Sequence, residues 1–402
     1  TTEIYTLSLH DALPILSLLH WIWLSLILPP GSPKIDRALE CFPDPEELFL
    51  AGNEGVAGIP GFDSSDLIRM QATSLDLAEK ALERAETYGA GVMAKNDPDF
   101  PERLLQIPAC PAVLYVLGDL SAARRPCVAL VGTRSMSEYG RKAAESLGRG
   151  LGASGITVVS GMAKGIDTVS HKSCVEAGGK TIAVQGCGIC NTYPPENREL
   201  KEIIAANGAV VSEFAPDAAS QSSYFPIRNR IISGLSLGVC VVEAAARSGT
   251  SITANFALEQ GRDVFAVPAD VFRSTSKGTF RLLRQGAIPV SCAGDIIEEY
   301  RPLYGDLLRP ESAHEASAKP YQPSEQLWQE PSREDGPRWR EMPENLSDHA
   351  RAVYSILSRT PLFADDISSM TGLPASETAA SLTELELSGL VKPVSGRRFT
   401  LA

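Results

Sequence analysis

The residues of this chain that could do chemistry gather in three short segments. In the stretch Phe225 to Ala254, Arg228, Asn229 and Arg230 follow an aromatic residue, Phe225. An apolar run, Gly238–Val242, comes next, and a Ser248-Gly249-Thr250 turn then opens a helical pattern. A strand, a turn of small residues and a helix start make an anion site. The first N–H groups of a helix have no intrahelical partner, and the helix dipole favours negative charge there. The segment Val131-Gly132-Thr133-Arg134-Ser135 has the same character: Gly132 closes a β-rich run and Arg134 can clamp a phosphate from the side. In Ser160-Gly161-Met162-Ala163-Lys164-Gly165-Ile166-Asp167 two glycines allow close backbone approach and Lys164 adds charge. A single turn of this kind is as often structural as functional. Three at one edge of a sheet, two of them with a cation, point to a phosphate-bearing ligand.

Other chemistries are poorly supported. G-x-x-x-x-G-K-[ST] does not occur, and the single G-x-G-x-x-G, at Gly150–Gly155, ends a helical pattern and does not follow a strand, so no nicotinamide or P-loop nucleotide, and no cofactor, is expected. Asp167 and His171 stand at i,i+4 and can meet on one helix face. They form either an acid–base pair or a hydrogen bond that fixes the loop, and the second reading is favoured. The pair Cys187 and Cys190 lacks the second pair or nearby His that a zinc site needs, so no metal is expected. A redox CxxC normally opens a helix, whereas Pro194 and Pro195 follow here; these read as loop cysteines. No activated nucleophile or paired carboxylate stands out, so no catalytic residue is assigned and the chain reads as a non-enzyme.

Elements that would position the three loops are legible. β-rich runs at Cys127–Val131, Ile156–Ser160, Thr181–Gln185, Ala209–Ser212, Gly238–Glu243 and Asp263–Val267 alternate with helical patterns at Glu138–Leu151, Ile166–Ala177 and Ser251–Gln260. Continuous apolar strands separated by helices mean a parallel sheet covered on both faces. The fold class is α/β: a Rossmann-like, doubly wound parallel sheet over 89–300. Ligands of such sheets bind at the carboxyl ends of the strands. A small helical domain is expected over 17–88, with Trp21 and Trp23 in its core and a capped amphipathic helix from Ser74 to Tyr88. Residues 301–343, rich in Pro, Glu, Ser and Gln, read as a disordered linker. Three helical patterns and a strand pair around Ser395-Gly396 give 344–402 the layout of a winged helix. Residues 1–16 read as an extension foreign to the rest, resembling translated sequencing-adapter sequence.

The chain has 402 residues and a net charge of −12. The acidity lies in the flanks: Lys+Arg against Asp+Glu is 9 to 18 over 1–125, 17 to 16 over 126–300, and 11 to 15 over 301–402. A local basic groove in the near-neutral middle is therefore allowed. The apolar run Leu13–Leu28 is short for a membrane span and has no cation before it, the first being Lys34. Eight scattered cysteines fit a reducing, cytoplasmic setting. No membrane association is expected.

On these motifs the chain resembles the DNA-processing protein A family (DprA, also called Smf). The resemblance rests on VGTR at 131–134, SGMAKGIDTVSH at 160–171, TIAVQGCGICNTYPPENREL at 181–200, and FPIRNRIISGLS with VVEAAARSGTSITA and ALEQGRDVFAVP up to Pro268. It implies a cytoplasmic single-stranded-DNA-binding protein that protects incoming DNA in natural transformation. It also implies delivery of that strand to the RecA recombinase, and a homodimer formed through the Rossmann-like domain. Carried over, Arg134 is the phosphate-contacting arginine, and Lys164 with Ser160, Gly161 and Gly165 forms the second loop. Phe225 offers a stacking face, Arg228, Asn229 and Arg230 line the same edge, and Arg198 of the NREL run joins the DNA-binding set with Gly132, Thr133, Ser248, Gly249 and Thr250. Stacking plus a cationic groove grips single strands without reading sequence. The chain departs from the family where Gln221–Tyr224 carry no cation before Phe225, and at Cys190, Ala269 and Phe280.

The helical pattern Ala375–Leu387 contains Glu377, Glu384 and Glu386 and no cation, leaving Arg397 and Arg398 as the basic pair of the wing. A helix that enters a DNA groove needs cations, so this winged helix is expected to contact a protein or the other domains of the chain. The competing reading is a Rossmann-like nucleotide-processing enzyme of the phosphoribohydrolase type. It would need a carboxylate beside the Gly-Thr turn, and Glu243 is the only nearby candidate.

Overall fold

The computed structural model describes residues 9–246, 248–270, 272–308, 346–357, 362–394 and 398–401. The expected linker falls largely outside these residues, as do residues 1–8, Ser395-Gly396 and Arg397. The chain divides into two units, up to Tyr321 and from Gln322.

The first unit opens with five helices: α1 (Leu9–Ile27), α2 (Lys34–Cys41), α3 (Pro45–Ala57), α4 (Ser64–Ala72) and α5 (Leu75–Thr87). There follow β1 (Gly91–Ala94), α6 (Glu102–Leu105), β2 (Val113–Gly118), β3 (Cys127–Gly132), α7 (Glu138–Ala153), β4 (Thr157–Ser160), α8 (Ile166–Glu176) and β5 (Thr181–Val184). Next come α9 (Arg198–Asn207), β6 (Gly208–Ser212), α10 (Tyr224–Gly234), β7 (Gly238–Glu243), α11 (Gly249–Glu259), β8 (Asp263–Ala266), α12 (Lys277–Arg284), β9 (Ile288–Pro289) and α13 (Ala293–Tyr304). The sheet has nine strands in the order β1-β2-β6-β5-β4-β3-β7-β8-β9. From β6 to β9 neighbours run parallel; β1 and β2 add antiparallel pairs at one edge. The six expected strands are all present and parallel.

Along the parallel strands side chains alternate between two faces, both of them buried. On β3, Cys127, Ala129 and Val131 face one layer with Ile231 of α10, Ala254 of α11 and Leu282 of α12. Val128 and Leu130 face the other, with Leu147 of α7, Cys174 of α8 and Ile296 of α13. Two buried faces account for the unbroken apolar runs of these strands. The five N-terminal helices share a core with the sheet: Trp23, Leu24 and Leu48 belong to one cluster with Val113, Tyr115, Ala183 and Val210. Both tryptophans are buried, and Trp23 Nε1 donates to Thr73 O at 2.9 Å. Arg230 and Glu213, an ion pair buried on both sides, add a polar tie, since Glu213 also accepts the Gly31 N–H that follows α1. No described helix is long and apolar enough to cross a membrane.

Chain order runs outward from β3 through β4 and β5 to β6, then returns to place β7 on the other side of β3. The β3–α7 and β7–α11 connections therefore leave toward opposite faces, and a crevice opens between them at the strand carboxyl ends.

Asp167, at the start of α8, accepts the Gly161 and Ala163 N–H groups at 3.2 and 3.3 Å and so ties down the second loop. His171 does not take part. It is fully buried one turn further on, with Nδ1 at 2.7 Å from Thr181 Oγ1. That hydroxyl donates to Val158 O, so Nδ1 carries the proton toward it. The expected Asp167–His171 hydrogen bond is thus replaced: Asp167 fixes the loop and His171 joins the sheet to α8. Burial lowers the His171 pKa to about 3 and leaves no acid–base role for it at neutral pH.

The second unit contains α14 (Asp348–Ile356), β10 (Leu362–Phe363), α15 (Ala364–Thr371), α16 (Ala375–Leu387), β11 (Val391–Val394) and β12 (Arg398–Leu401), with a β10-β12-β11 sheet. Its core holds Val353, Ile367, Leu382 and Leu385. The helix expected over Ala375–Leu387 is α16.

Two outcomes follow. Trp23→Ala empties a fully buried site shared by helices and sheet, and should lower stability by about 3–5 kcal/mol in denaturant unfolding; a loss below about 1 kcal/mol would mean the helices pack independently of the sheet. His171 titrates near 6.5 when unfolded and near 3 when folded. The unfolded state binds more protons in that window, so the residue costs stability as pH falls below about 6.5, by about 1.4 kcal/mol per pH unit at most. His171→Gln should flatten the acid limb of the stability curve between pH 6.5 and 4, and an unchanged slope would contradict the buried neutral ring.

Candidate nucleic-acid interface

The switch-point crevice is an open cleft of about 630 Å3. It is lined by Gly132, Thr133 and Arg134 after β3, by Ala163 and Asp167 before and within α8, and by Ser248, Gly249, Thr250 and Thr253 at the start of α11. Phe225, Arg228 and Asn229 of α10 and Tyr193 of the β5–α9 loop complete it. The three loops singled out from sequence converge here.

Close packing explains their glycines. A Cβ on Gly132 would stand 2.5 Å from Ile166 Cγ1. Gly165 has φ +84°, and a Cβ there would overlap Thr133 O and crowd Arg134 O. The first loop therefore rests directly on the second. Met162, between them, takes φ +54° although it has a side chain. This left-handed conformation costs about 1–3 kcal/mol and needs support from its surroundings. Asn197 Nδ2 provides some by donating to Met162 O at 2.9 Å. That residue, next to Arg198, was not a candidate from sequence.

At the cleft wall the Arg134 guanidinium lies over the Phe225 ring, 4.9 Å from its centroid. Tyr193 sits beside the same ring at 5.0 Å. Phe225 packs on Gly186, where a Cβ would stand 2.8 Å from the ring. Opposite, α11 starts at Gly249, and its first N–H groups have no partner within the helix. Ser248 Oγ is buried without a hydrogen-bond partner among the described residues. Asn229 Nδ2 reaches Gly249 O at 3.4 Å and joins the two walls. Cation, aromatic faces and helix N-terminus can thus meet phosphate and base together. Tyr193 was overlooked; its signal was an aromatic residue in a strand-end loop on the same edge as the others.

Several expected contacts lie elsewhere. Arg228 is 3% exposed, and its guanidinium donates to Gly161 O at 2.8 Å and to Val184 O. It braces the floor rather than the surface. Burial lowers its pKa to about 10 against the attraction of Asp167, so it stays charged at neutral pH. Arg230 does not line the cleft, being engaged with buried Glu213. Ser160 Oγ donates to Leu130 O at 2.6 Å and clips β4 to β3. The Gly161 N–H is used by Asp167. Lys164 is exposed and paired with Glu196 at 2.7 Å, and Arg198 is exposed at the start of α9; neither lines the cleft. The cleft has fewer free cations than the sequence suggested, and Arg134 is its exposed one among the described residues.

Glu243, the carboxylate required by the enzyme reading, does not line this cleft. It is 2% exposed, and its Oε2 accepts the Ser137 N–H at 2.9 Å. The cysteines are free thiols, and no group of metal-ligating side chains occurs among the described residues.

A family model for DNA recombination-mediator protein A matches residues 91–301, and one for the DprA winged helix domain matches residues 340–397. The chain is 31% identical over 395 residues to Protein Smf of Synechocystis, covering 94% of this chain and 98% of that one. It is 41% identical over 267 residues to the DNA processing protein DprA of Streptococcus pneumoniae, covering 66% of this chain and 93% of that one. An X-ray structure of DprA from Streptococcus pneumoniae superposes with a TM-score of 0.61 at 32% identity, over 70% of this chain and 96% of that one. Taken with the switch-point cleft and its motifs, these matches show that the chain belongs to the DNA recombination-mediator protein A family, DprA.

Proposed function

We propose that this chain binds single-stranded DNA in the switch-point cleft without acting on it chemically. It protects the strand and passes it to a RecA recombinase during natural transformation. The observation that carries the binding reading is the Arg134 guanidinium stacked on Phe225 beside Tyr193, facing the N-terminus of α11 across one cleft. An aromatic platform next to phosphate donors suits a run of nucleotides, because every base has a π-face and every nucleotide a phosphate. Family membership, whose description is of recombination mediators, supports the delivery step. A homodimer through the sheet-bearing unit, and a cytoplasmic setting, belong to the same proposal. The acidic α16 makes the winged helix a protein-docking module: Glu384 accepts from Ser347 and Glu377 pairs with His349 at 3.3 Å. The phosphoribohydrolase alternative is disfavoured by the burial of Glu243 away from the cleft.

The test is a titration with labelled poly-dT at several salt concentrations, run beside nucleoside monophosphates assayed for base release. Log affinity should fall linearly with log salt, by about 0.7 of a log unit per tenfold rise in salt for each phosphate contact. Arg134→Ala should weaken binding by about 10- to 100-fold, the cost of one charge-assisted contact. Phe225→Ala should cost about 1–3 kcal/mol. The double variant should lose less than the sum, because the two side chains touch. Salt-insensitive binding, unchanged affinity in Arg134→Ala, or release of free base would each contradict the proposal.

A further inference from the structure

A second cleft opens at the carboxyl ends of β3, β7 and β8, next to the switch point. It has a volume of about 320 Å3 and is lined by Ser137, Tyr139, Glu243, Pro268, Asp270 and Arg273, among others. Its chemistry differs from that of the first. Glu243 is 98% buried by its 2% exposure, yet it lines this cleft. Oε2 is taken by the Ser137 N–H, and no hydrogen bond is made to Oε1 among the described residues. The ring of Tyr139 is 47% exposed, while its hydroxyl is anchored to Pro268 O at 2.6 Å. Arg273, half-exposed and loosely paired with Asp270 at 3.5 Å, stands at the same site. An anchored aromatic face, a cation and an unused carboxylate oxygen form a set that fits one nucleotide. The ring can stack a base, the cation can meet its phosphate, and the carboxylate can accept from an exocyclic amino group.

We infer that this second cleft holds a base neighbouring those in the switch-point cleft and selects one that carries an amino group, as cytosine does, over one with a carbonyl there. The inference rests on the single-strand reading of the first cleft. The two clefts are coupled through the backbone, since Glu243 O accepts the Thr133 N–H at 2.8 Å and Ser137 begins the helix that follows Arg134. A strand lying across the sheet edge would meet both. A carboxylate oxygen accepts from cytosine N4 but meets the O4 of uracil or thymine as another acceptor. The chain thus reads composition weakly at one position while gripping the backbone elsewhere.

The test compares oligo-dC with oligo-dU of equal length, above neutral pH, by fluorescence anisotropy on the full chain. These strands differ in the group that faces Glu243. Wild type should bind dC at least about fivefold more tightly. In Glu243→Gln the Ser137 N–H keeps the amide oxygen as its acceptor and turns the NH2 toward the cleft, so the preference should shift to dU. Equal affinities in wild type overturn the inference whether or not the variant folds. A dC preference that survives intact in a folded Glu243→Gln also overturns it. Binding of both strands without discrimination leaves the switch-point reading standing, whereas failure to bind either strand removes both.

Discussion

The cleft depends on a guanidinium that lies beneath it. Arg228 sits under the second loop, donating to the carbonyls of Gly161 and Val184. Asp167 offsets its charge and uses its own oxygen to hold the Gly161 and Ala163 N–H groups. Burial opposes both charges, raising the Asp167 pKa and lowering that of Arg228, and each charge attracts the other. Held together, they fix a loop that contains a left-handed Met162, and the loop carrying Arg134 lies on top of it through Gly165. The position of the outermost cation therefore rests on two buried charges beneath it.

This arrangement explains what the sequence revealed and what it concealed. Strands of the parallel sheet were readable because each is buried on both faces, leaving unbroken apolar runs from Cys127 to Val131 and from Gly238 to Val242. The three loops were readable because close backbone approach demands glycine at Gly132 and Gly165. The outer antiparallel strand β1 was not, since Gly91–Ala94 is short and only partly buried and carries no period of its own. The direction of a charge was equally hidden. Arg228 and Arg230 are two residues apart on α10, yet one turns under the second loop and the other toward Glu213 and Gly31. Sequence spacing places both on a helix, and only packing separates them. Tyr193 was hidden for a related reason: its partner Phe225 is 32 positions away, joined to it by the fold alone.

Few exposed cations remain at the cleft, which fits a net charge of −12. On the proposed reading, grip would come less from a basic field than from short-range contacts: one guanidinium, two aromatic rings and the start of α11. Such contacts would act on a strand that has already arrived, since long-range steering by an acidic protein is weak. The aromatic faces are partly occupied in the free protein, because Arg134 covers Phe225. Binding a base on that ring requires the guanidinium to leave it, and a nearby phosphate gives it a better partner. Base and phosphate would then enter together, as one nucleotide unit.

Photo-crosslinking with 5-iodouracil placed within a single strand, followed by peptide mapping, tests the central claim most directly. Iodouracil reacts with aromatic side chains it stacks on, so the account predicts adducts at Phe225 or Tyr193 that disappear with competing unlabelled strand. Adducts confined to the winged-helix unit or to the N-terminal helices, with none in the peptides containing Tyr193 and Phe225, would contradict it.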